Sequence, residues 1–410
     1  MEQEIKPRLR LVQAIPYDSG GERLVCLRDN SGISQKTVVL PMRAFYLAAL
    51  MDGGRTLGQI RAEYVQRFGD SLQMDQLERM VRELDEALML EGERFETERR
   101  AALHAFLSAD RRSAAFAGSA YPAAAPAIRR MLDEFFRNGP GPVASVNGAG
   151  RVAAVAAPHL DPRHGGPAYA HAWKALAEQC PAETFVILGV AHEPARGLYV
   201  VTDKSFETPL GIVPCDRDFT ADLTRRAGLT CGDDVLLHRR EHSIEFQALL
   251  LRHVFGSSRP ARIVPVLCGS ILETVGDAAD PLSVEPVGRF VGALRDLLAE
   301  RGESAAVIAS VDLSHVGRKF GHAVDMSRDV LAGVERDDRA LLAHAERADA
   351  QAFFDANRAD GDRRRVCGFA ALYTMLAAAP LKRGRLLQYG QAVEEPTQSV
   401  VSYAAMSFER

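Results

Sequence analysis

Phe185-Val186-Ile187-Leu188-Gly189 is a continuous apolar run that ends on a glycine, with His192 close behind it. An uninterrupted run of this kind is typical of a strand buried on both faces of a sheet. The glycine lets the backbone turn tightly before the imidazole. The design recurs along the chain. Val152–Ala157 leads through Pro158 to His159, and Ala305–Ser310 leads to Asp312 and His315. Proline cannot continue a central ladder, so it stops the first of these strands and presents His159 at the rim of the sheet. A fourth stretch, Glu241-His242-Ser243-Ile244-Glu245, offers His242 in the same way and also reads as a helix start with charged residues in its first turn. Cys367-Gly368 opens the helical run Phe369–Ala378. In an open α/β sheet the carboxyl ends of parallel strands converge on one crevice. Imidazole, thiolate and carboxylate meeting there are the ingredients of a metal site.

Outward from these strands, residues 151–344 alternate strands and helices: strand 152–157, helix 166–179, strand 184–190, helices 217–227 and 243–255, strand 262–267, helix 286–301, strand 305–311, then helices 323–333 and 337–344. That order predicts an α/β fold with a central, mostly parallel sheet flanked by helices. Pro209–Pro214 departs from the alternation, which makes a mixed sheet the expectation. Upstream, Arg8–Ile15 and Arg23–Leu27 around Asp18-Ser19-Gly20-Gly21 predict a hairpin. Helical spacing follows at Arg43–Met51. A capping box at Thr56-Leu57-Gly58-Gln59 then opens a helix with Ile60, Tyr64 and Phe68 on one face. Met74–Leu90 repeats the spacing with Leu77, Val81, Leu84 and Leu88, and Glu93–Thr97 reads as a strand. The expected organisation is a small α+β winged-helix-like domain over 1–98, an Arg-rich helical connector over 99–116 (Arg99, Arg100, Arg111, Arg112) and the α/β domain over 117–410.

With 410 residues, 47% apolar and 25% charged, the chain has ordinary soluble globular composition. A formal charge of −4 argues against nucleic acid or an anionic membrane as partner. Met1-Glu2-Gln3-Glu4-Ile5-Lys6 lacks the apolar stretch of a secretory signal, and no run approaches the roughly 20 apolar residues of a membrane span. Cys26, Cys180, Cys215, Cys231, Cys268 and Cys367 show no CxxC spacing, so the expectation is a reduced, cytoplasmic protein. Cys367 differs from the others because the dipole of the helix it precedes favours a thiolate.

Among the candidate side chains, Asp312 and His315 have the spacing for a carboxylate–imidazole pair that fixes a tautomer and raises basicity. His242 and Glu245 share one helix face, which suggests proton transfer. Asp161 and His164 are expected to be surface or supporting residues. His171, His238, His253, His322 and His344 are expected to be ordinary.

Residues 117–410 resemble the MEMO family, whose bacterial members include the protein B component of the AmmeMemoRadiSam system. The resemblance rests on Ala117-Gly118-Ser119-Ala120-Tyr121-Pro122, Ala157-Pro158-His159, Leu188-Gly189-Val190-Ala191-His192, Glu241-His242-Ser243-Ile244-Glu245, Asp312-Leu313-Ser314-His315, Cys367-Gly368 and Ser402–Phe408. It implies a fold similar to class III extradiol dioxygenases. It also implies metal coordination by His159, His192 and Cys367, with His242, Asp312 and His315 as catalytic residues lining the pocket. His315 would hold the general acid/base place and Cys367 that of the dioxygenases' ligating carboxylate. The chain departs from the family at His159-Leu160-Asp161-Pro162-Arg163-His164, where the family continues with Ala-Gly-Tyr, and at Ser310-Val311-Asp312, where it has Ser-Ser-Asp. Residues 1–95 resemble PqqD-like winged-helix modules, which hold peptides by adding a strand to their hairpin edge.

Three functions follow as expectations. The first is redox or dioxygenase-like chemistry on a small substrate with Fe(II), copper or zinc being the rivals for a site softened by thiolate. The second is a non-catalytic protein that binds metal or peptide, a partner in a radical SAM-associated system. The third is zinc-dependent hydrolysis with His242 or Glu245 as base.

Overall fold

A computed structural model describes residues 5–146, 150–230 and 232–410. Met1–Glu4, read above for a signal, and Cys231 lie outside the described residues. The chain divides into two compact units, Met1–Ser108 and Ala109–Arg410.

In the first unit β1 (Gln13–Ser19), β2 (Glu22–Arg28) and β3 (Thr37–Pro41) form an antiparallel sheet in that order. The hairpin turns on Gly20 and Gly21, at φ +60° and +82°, where a side chain would be strained. Its first strand starts later than expected, because Arg8 and Leu9 bridge Asp52 and Leu90 instead. Four helices follow: α1 (Met42–Ala49), α2 (Leu57–Phe68), α3 (Met74–Glu86) and α4 (Glu93–Ser108). Thr56 and Gln59 make the reciprocal capping box that the sequence predicts. Ile60, Tyr64, Leu77 and Leu84 pack in one core with Val25 and Leu27. Leu88 leaves the helix at φ +59°.

The strand expected at Glu93–Thr97 is helical. Glu93 and Glu96 favour a helix N-terminus, and Glu96 pairs with Arg99 at 2.9 Å. Phe95 and Phe106 are the buried residues of that helix. The returning strand of a wing is therefore missing at this position, and the helical stretch of the connector ends at Ser108.

The second unit contains β4 (Arg111–Arg112), α5 (Ala125–Arg137), β5 (Val152–Ala157), α6 (Pro162–Gln179), β6 (Thr184–Val190), β7 (Tyr199–Val201), β8 (Ser205–Thr208), β9 (Gly211–Val213), α7 (Arg217–Ala227), α8 (His242–Phe255), β10 (Arg262–Cys268), α9 (Ile271–Val275) and α10 (Glu285–Arg301). It ends with β11 (Ala305–Ser310), β12 (Asp312–Gly317), α11 (Arg328–Glu346), α12 (Ala350–Ala359), α13 (Phe369–Ala378), β13 (Arg383–Glu394) and β14 (Ser399–Glu409). Among the described residues, eight strands form one sheet in the order β12-β14-β5-β11-β6-β10-β7, with β13 on β14. The inner strands β5, β11, β6 and β10 are parallel, while β7, β12, β13 and β14 pair antiparallel. The sheet is thus mixed, though not because of Pro209–Pro214. That segment belongs to a separate small sheet, β4-β8-β9.

Alternation sorts each inner strand onto two cores. Val186 and Leu188 meet Phe219, Phe290, Phe353 and Leu372 on one face, and Phe185 and Ile187 meet Trp173, Leu249 and Ile128 on the other. Burying each such side chain contributes roughly 1.5–3 kcal/mol, so a register slip that swapped the faces would be heavily penalised. The two helices expected at 323–333 and 337–344 are one helix, α11. Ser327 caps it, and nothing between the two halves breaks it. Asp338 lies buried within it. No helix of the described residues is long and apolar enough to cross a membrane.

Candidate metal centre

The ends of β5, β11 and β6 lie side by side in the sheet, so the residues that follow them emerge at one rim. His159 follows β5, His192 follows β6, and Asp312 begins β12 directly after β11. His242 is the first residue of α8, which is entered from a 3-10 helix over Asp233–Arg240 and not from a strand as the opening pattern suggested. Cys367 stands just ahead of α13, capped by Gly368. A Cβ on Gly368 would lie 2.6 Å from the Cα of Val311, so only glycine lets this turn close against β11.

These side chains converge. The ring centroids of His159 and His192 are 5.2 Å apart, those of His159 and His242 5.6 Å, and those of His192 and His242 4.7 Å. Cys367 Sγ lies 3.2 Å from His159 Nε2, with Asp312 Oδ2 at 3.6 Å from the same nitrogen. Two three-donor groups that could hold a metal ion share His159: His159, His192 and His242, and His159, Asp312 and Cys367. The set His159, His192 and Cys367 inferred from the family resemblance draws on both. His315 lies beside them on β12, against the ring of Phe320 at 5.0 Å, and belongs to neither group.

The electrostatics follow from burial. His159 is 1% exposed, and burial pushes its imidazole down to about 3. Burial likewise pushes His242 down to about 4, although 28% of its side chain still meets solvent. Burial raises the Cys367 thiol, so its place ahead of a helix does not by itself yield the thiolate expected from the sequence. His159 Nδ1 is buried without a partner. A neutral, desolvated imidazole beside a thiol and a carboxylate suits a cation, which would also repay the cost of ionising the thiol. The donor set therefore fits a bound transition metal.

Asp312 does not form the expected pair with His315. Its Oδ1 accepts the backbone N–H of His159 at 3.0 Å, while His315 Nδ1 meets the carbonyl of Leu313 at 3.0 Å. The backbone turn after Val311 aims the carboxylate back at β5. Asp312 still favours the charged form of His315 from a distance, against the burial that lowers it. Glu245 does not work with His242. It is wholly buried, and its two oxygens accept from the Arg112 guanidinium, the Tyr121 hydroxyl and the N–H groups of Ala115 and Phe116 at 3.0 Å. With both oxygens committed it is not a free base.

Sequence reasoning missed two residues. Arg112, read as part of a charged connector, is 1% exposed and donates to the carbonyls of His238 and Glu241 at 2.9 and 2.8 Å. No local signal marks it. Glu241, quoted within its motif and given no role, places its carboxylate between the Nδ1 atoms of His192 and His242 at 3.1 and 3.2 Å. Its position just before a histidine at a helix cap was the available clue. Burial opposes its charge, yet the two imidazoles and the Ser243 N–H hold its carboxyl well below the usual range. In return Glu241 raises His192 well above its ordinary value against the opposing effect of burial. Asp161 caps α6 through the N–H of Arg163 at 2.9 Å, and His164 is exposed.

Comparison with known proteins shows what the chain is similar to. The chain is 29% identical over 410 residues to a MEMO1 family protein of Aquifex aeolicus, covering 98% of this chain and 100% of the relative. It is 33% identical over 309 residues to one of Methanopyrus kandleri, covering 73% of this chain and 99% of that protein. A Thermus thermophilus member is 28% identical over 352 residues, covering 85% of this chain and 97% of the relative. The family described as Memo-like protein matches residues 112–407. That span begins beyond residues 1–98, so the PqqD-like resemblance of the first unit gains no support from it. Because it takes in every residue of the pocket described above, the chain belongs to the Memo-like family.

Proposed function

We propose that this protein is a cytoplasmic metalloenzyme of the MEMO family that binds one non-haem iron through His159, His192 and Cys367 and acts on a small substrate in redox, dioxygenase-like chemistry. The observation that carries the reading is the closeness of Cys367 Sγ and His159 Nε2, 3.2 Å apart, at the rim where His192 also emerges. Two imidazoles with one anionic ligand leave a divalent iron open positions, and the ion would supply Lewis acidity and one-electron chemistry. The chain's own residues do the rest. His315 is turned by the Leu313 carbonyl so that, when neutral, its Nδ1 carries the hydrogen and Nε2 is left to take a proton from a substrate hydroxyl. Asp312 holds the His159 backbone in place, and His242 lines the opening, where it can pass a proton to solvent. Zinc-dependent hydrolysis is the weaker reading, since Glu245 is withdrawn from the pocket.

The test is element-specific metal analysis after anaerobic purification. The full chain is expected to carry close to one equivalent of iron, and His159→Ala and Cys367→Ser are each expected to lose most of it. Retention of metal by both variants would remove the proposed ligand set. Zinc in place of iron, with no oxygen consumption on iron reconstitution, would redirect the chemistry.

A second role is proposed for the first unit, that of docking a peptide or partner protein of a radical SAM-associated system. Strand β1 is exposed along all seven residues and, among the described residues, pairs only with β2, which leaves an edge for strand addition.

A further inference from the structure

Glu241 caps α8 and is 6% exposed. Both of its carboxylate oxygens lie 3.1 Å from His192 Nδ1, and Oε1 lies 3.2 Å from His242 Nδ1. The same carboxylate accepts the N–H of Ser243 at 2.9 Å and of His192 at 3.2 Å. Its backbone carbonyl is gripped by Arg112 Nη2 at 2.8 Å. An ionised carboxylate only accepts hydrogen bonds, so the His192 Nδ1 bonded to it carries a hydrogen, and its charge favours a hydrogen on the His242 Nδ1 that lies within ion-pair distance. The two rings stack at 4.7 Å with an interplanar angle of 24°, and His159 stands edge-on to both.

We infer that Glu241 is a positioning residue: one carboxylate shared by His192 and His242 fixes the tautomer and the direction of both rings, so that both Nε2 atoms face the pocket. The inference rests on the metal reading of this pocket and deepens it. His242 thereby stands beside His192 as a nitrogen donor toward His159, not only as a lining residue. Carboxylates behind ligating histidines typically change metal affinity 10- to 100-fold, because they hold the ring in place and raise its basicity. A shared carboxylate also couples the two rings, so loss of Glu241 frees both together.

The experiment uses the full chain, Co(II) as the probe, and two variants. Glu241→Gln keeps the shape and removes the charge. Glu245→Gln removes a buried charge one turn along α8 and controls for packing. In the metal-free chain at a pH where the rings are neutral, imidazole nitrogen NMR is expected to place the hydrogen on Nδ1 of both His192 and His242. In Glu241→Gln both rings are expected to become tautomeric mixtures, with Co(II) affinity falling roughly 10- to 100-fold. Glu245→Gln is expected to lower the melting temperature while leaving the tautomers and the Co(II) affinity as they are. Hydrogen on Nε2 in the wild type, or a Glu241→Gln chain with unchanged tautomers and affinity, would overturn the inference. Should Co(II) not bind the wild type at all, the metal reading fails, while the nitrogen spectra still decide what Glu241 does.

Discussion

His238 illustrates how burial dominates the behaviour of a residue. It is 1% exposed, its Nε2 meets the Val200 carbonyl at 2.9 Å, and its Nδ1 has no partner. Burial pushes its imidazole down to about 4 from an ordinary value of 6.5. Between those two values the unfolded chain binds the proton and the folded chain does not. Stability therefore falls as pH drops from 6.5 toward 4, and above 6.5 this residue has no effect. The loss from His238 alone reaches up to about 3 kcal/mol at pH 4. Denaturant unfolding followed by Trp173 fluorescence checks it. The chain has one tryptophan, and it lies wholly buried in the second unit. His238→Gln is expected to flatten the pH dependence relative to wild type below 6.5. Parallel curves would show that the folded histidine titrates normally. The sequence places His238 among the ordinary histidines, and that reading carries no hint of this cost.

At the scale of elements, the site depends on close approach at two glycines, Gly189 inside β6 and Gly368 ahead of α13. A Cβ at Gly189 would lie 2.6 Å from Ser243 Oγ, and one at Gly368 would meet Val311 within 2.6 Å of its Cα. Gly368→Ala must push α13 and Cys367 away from β11, since the obstacle includes backbone. The expected outcome is a loss of about 1–3 kcal/mol in stability together with weaker metal retention. Unchanged metal content in that variant would mean that Cys367 tolerates displacement. Behind β12, the wholly buried Asp338 of α11 accepts from Ser402 Oγ at 2.5 Å, Tyr389 OH at 2.9 Å and Arg364 Nη1 at 2.8 Å. This network ties β12, β13 and β14 to α11 and so holds the strand that bears Asp312 and His315. In sequence those residues are scattered polar positions.

For the whole molecule, every donor of the pocket lies within Ala109–Arg410. The Memo-like match spans residues 112–407, inside the second unit. A chain of residues 109–410 is therefore expected to fold and to retain metal at the stoichiometry of the full protein, as measured by metal analysis. A folded fragment devoid of metal would assign the first unit a part in loading or closing the site. The Aquifex aeolicus relative is matched over 98% of this chain, so its sequence aligns with residues of both units.

Local order along the chain was enough to determine the layered sheet and the place of the site. Runs such as Phe185–Leu188 are apolar on both faces and so must lie between two helical layers. In a parallel sheet, whatever follows such strands must surface at one edge. His159, His192 and Asp312 could be found that way, and the Cys367-Gly368 turn by its glycine. What side chains do once they arrive was decided only in three dimensions. Glu241 and Glu245 look equivalent within one motif, yet one turns toward two imidazoles and the other toward Arg112, more than a hundred residues earlier. Asp312 serves His159 and not its near neighbour His315, because its carboxylate takes the N–H of His159 while the His315 ring is held by the Leu313 carbonyl. The direction of a buried polar group is set by which partner from a distant segment repays its desolvation, and no local pattern encodes that partner.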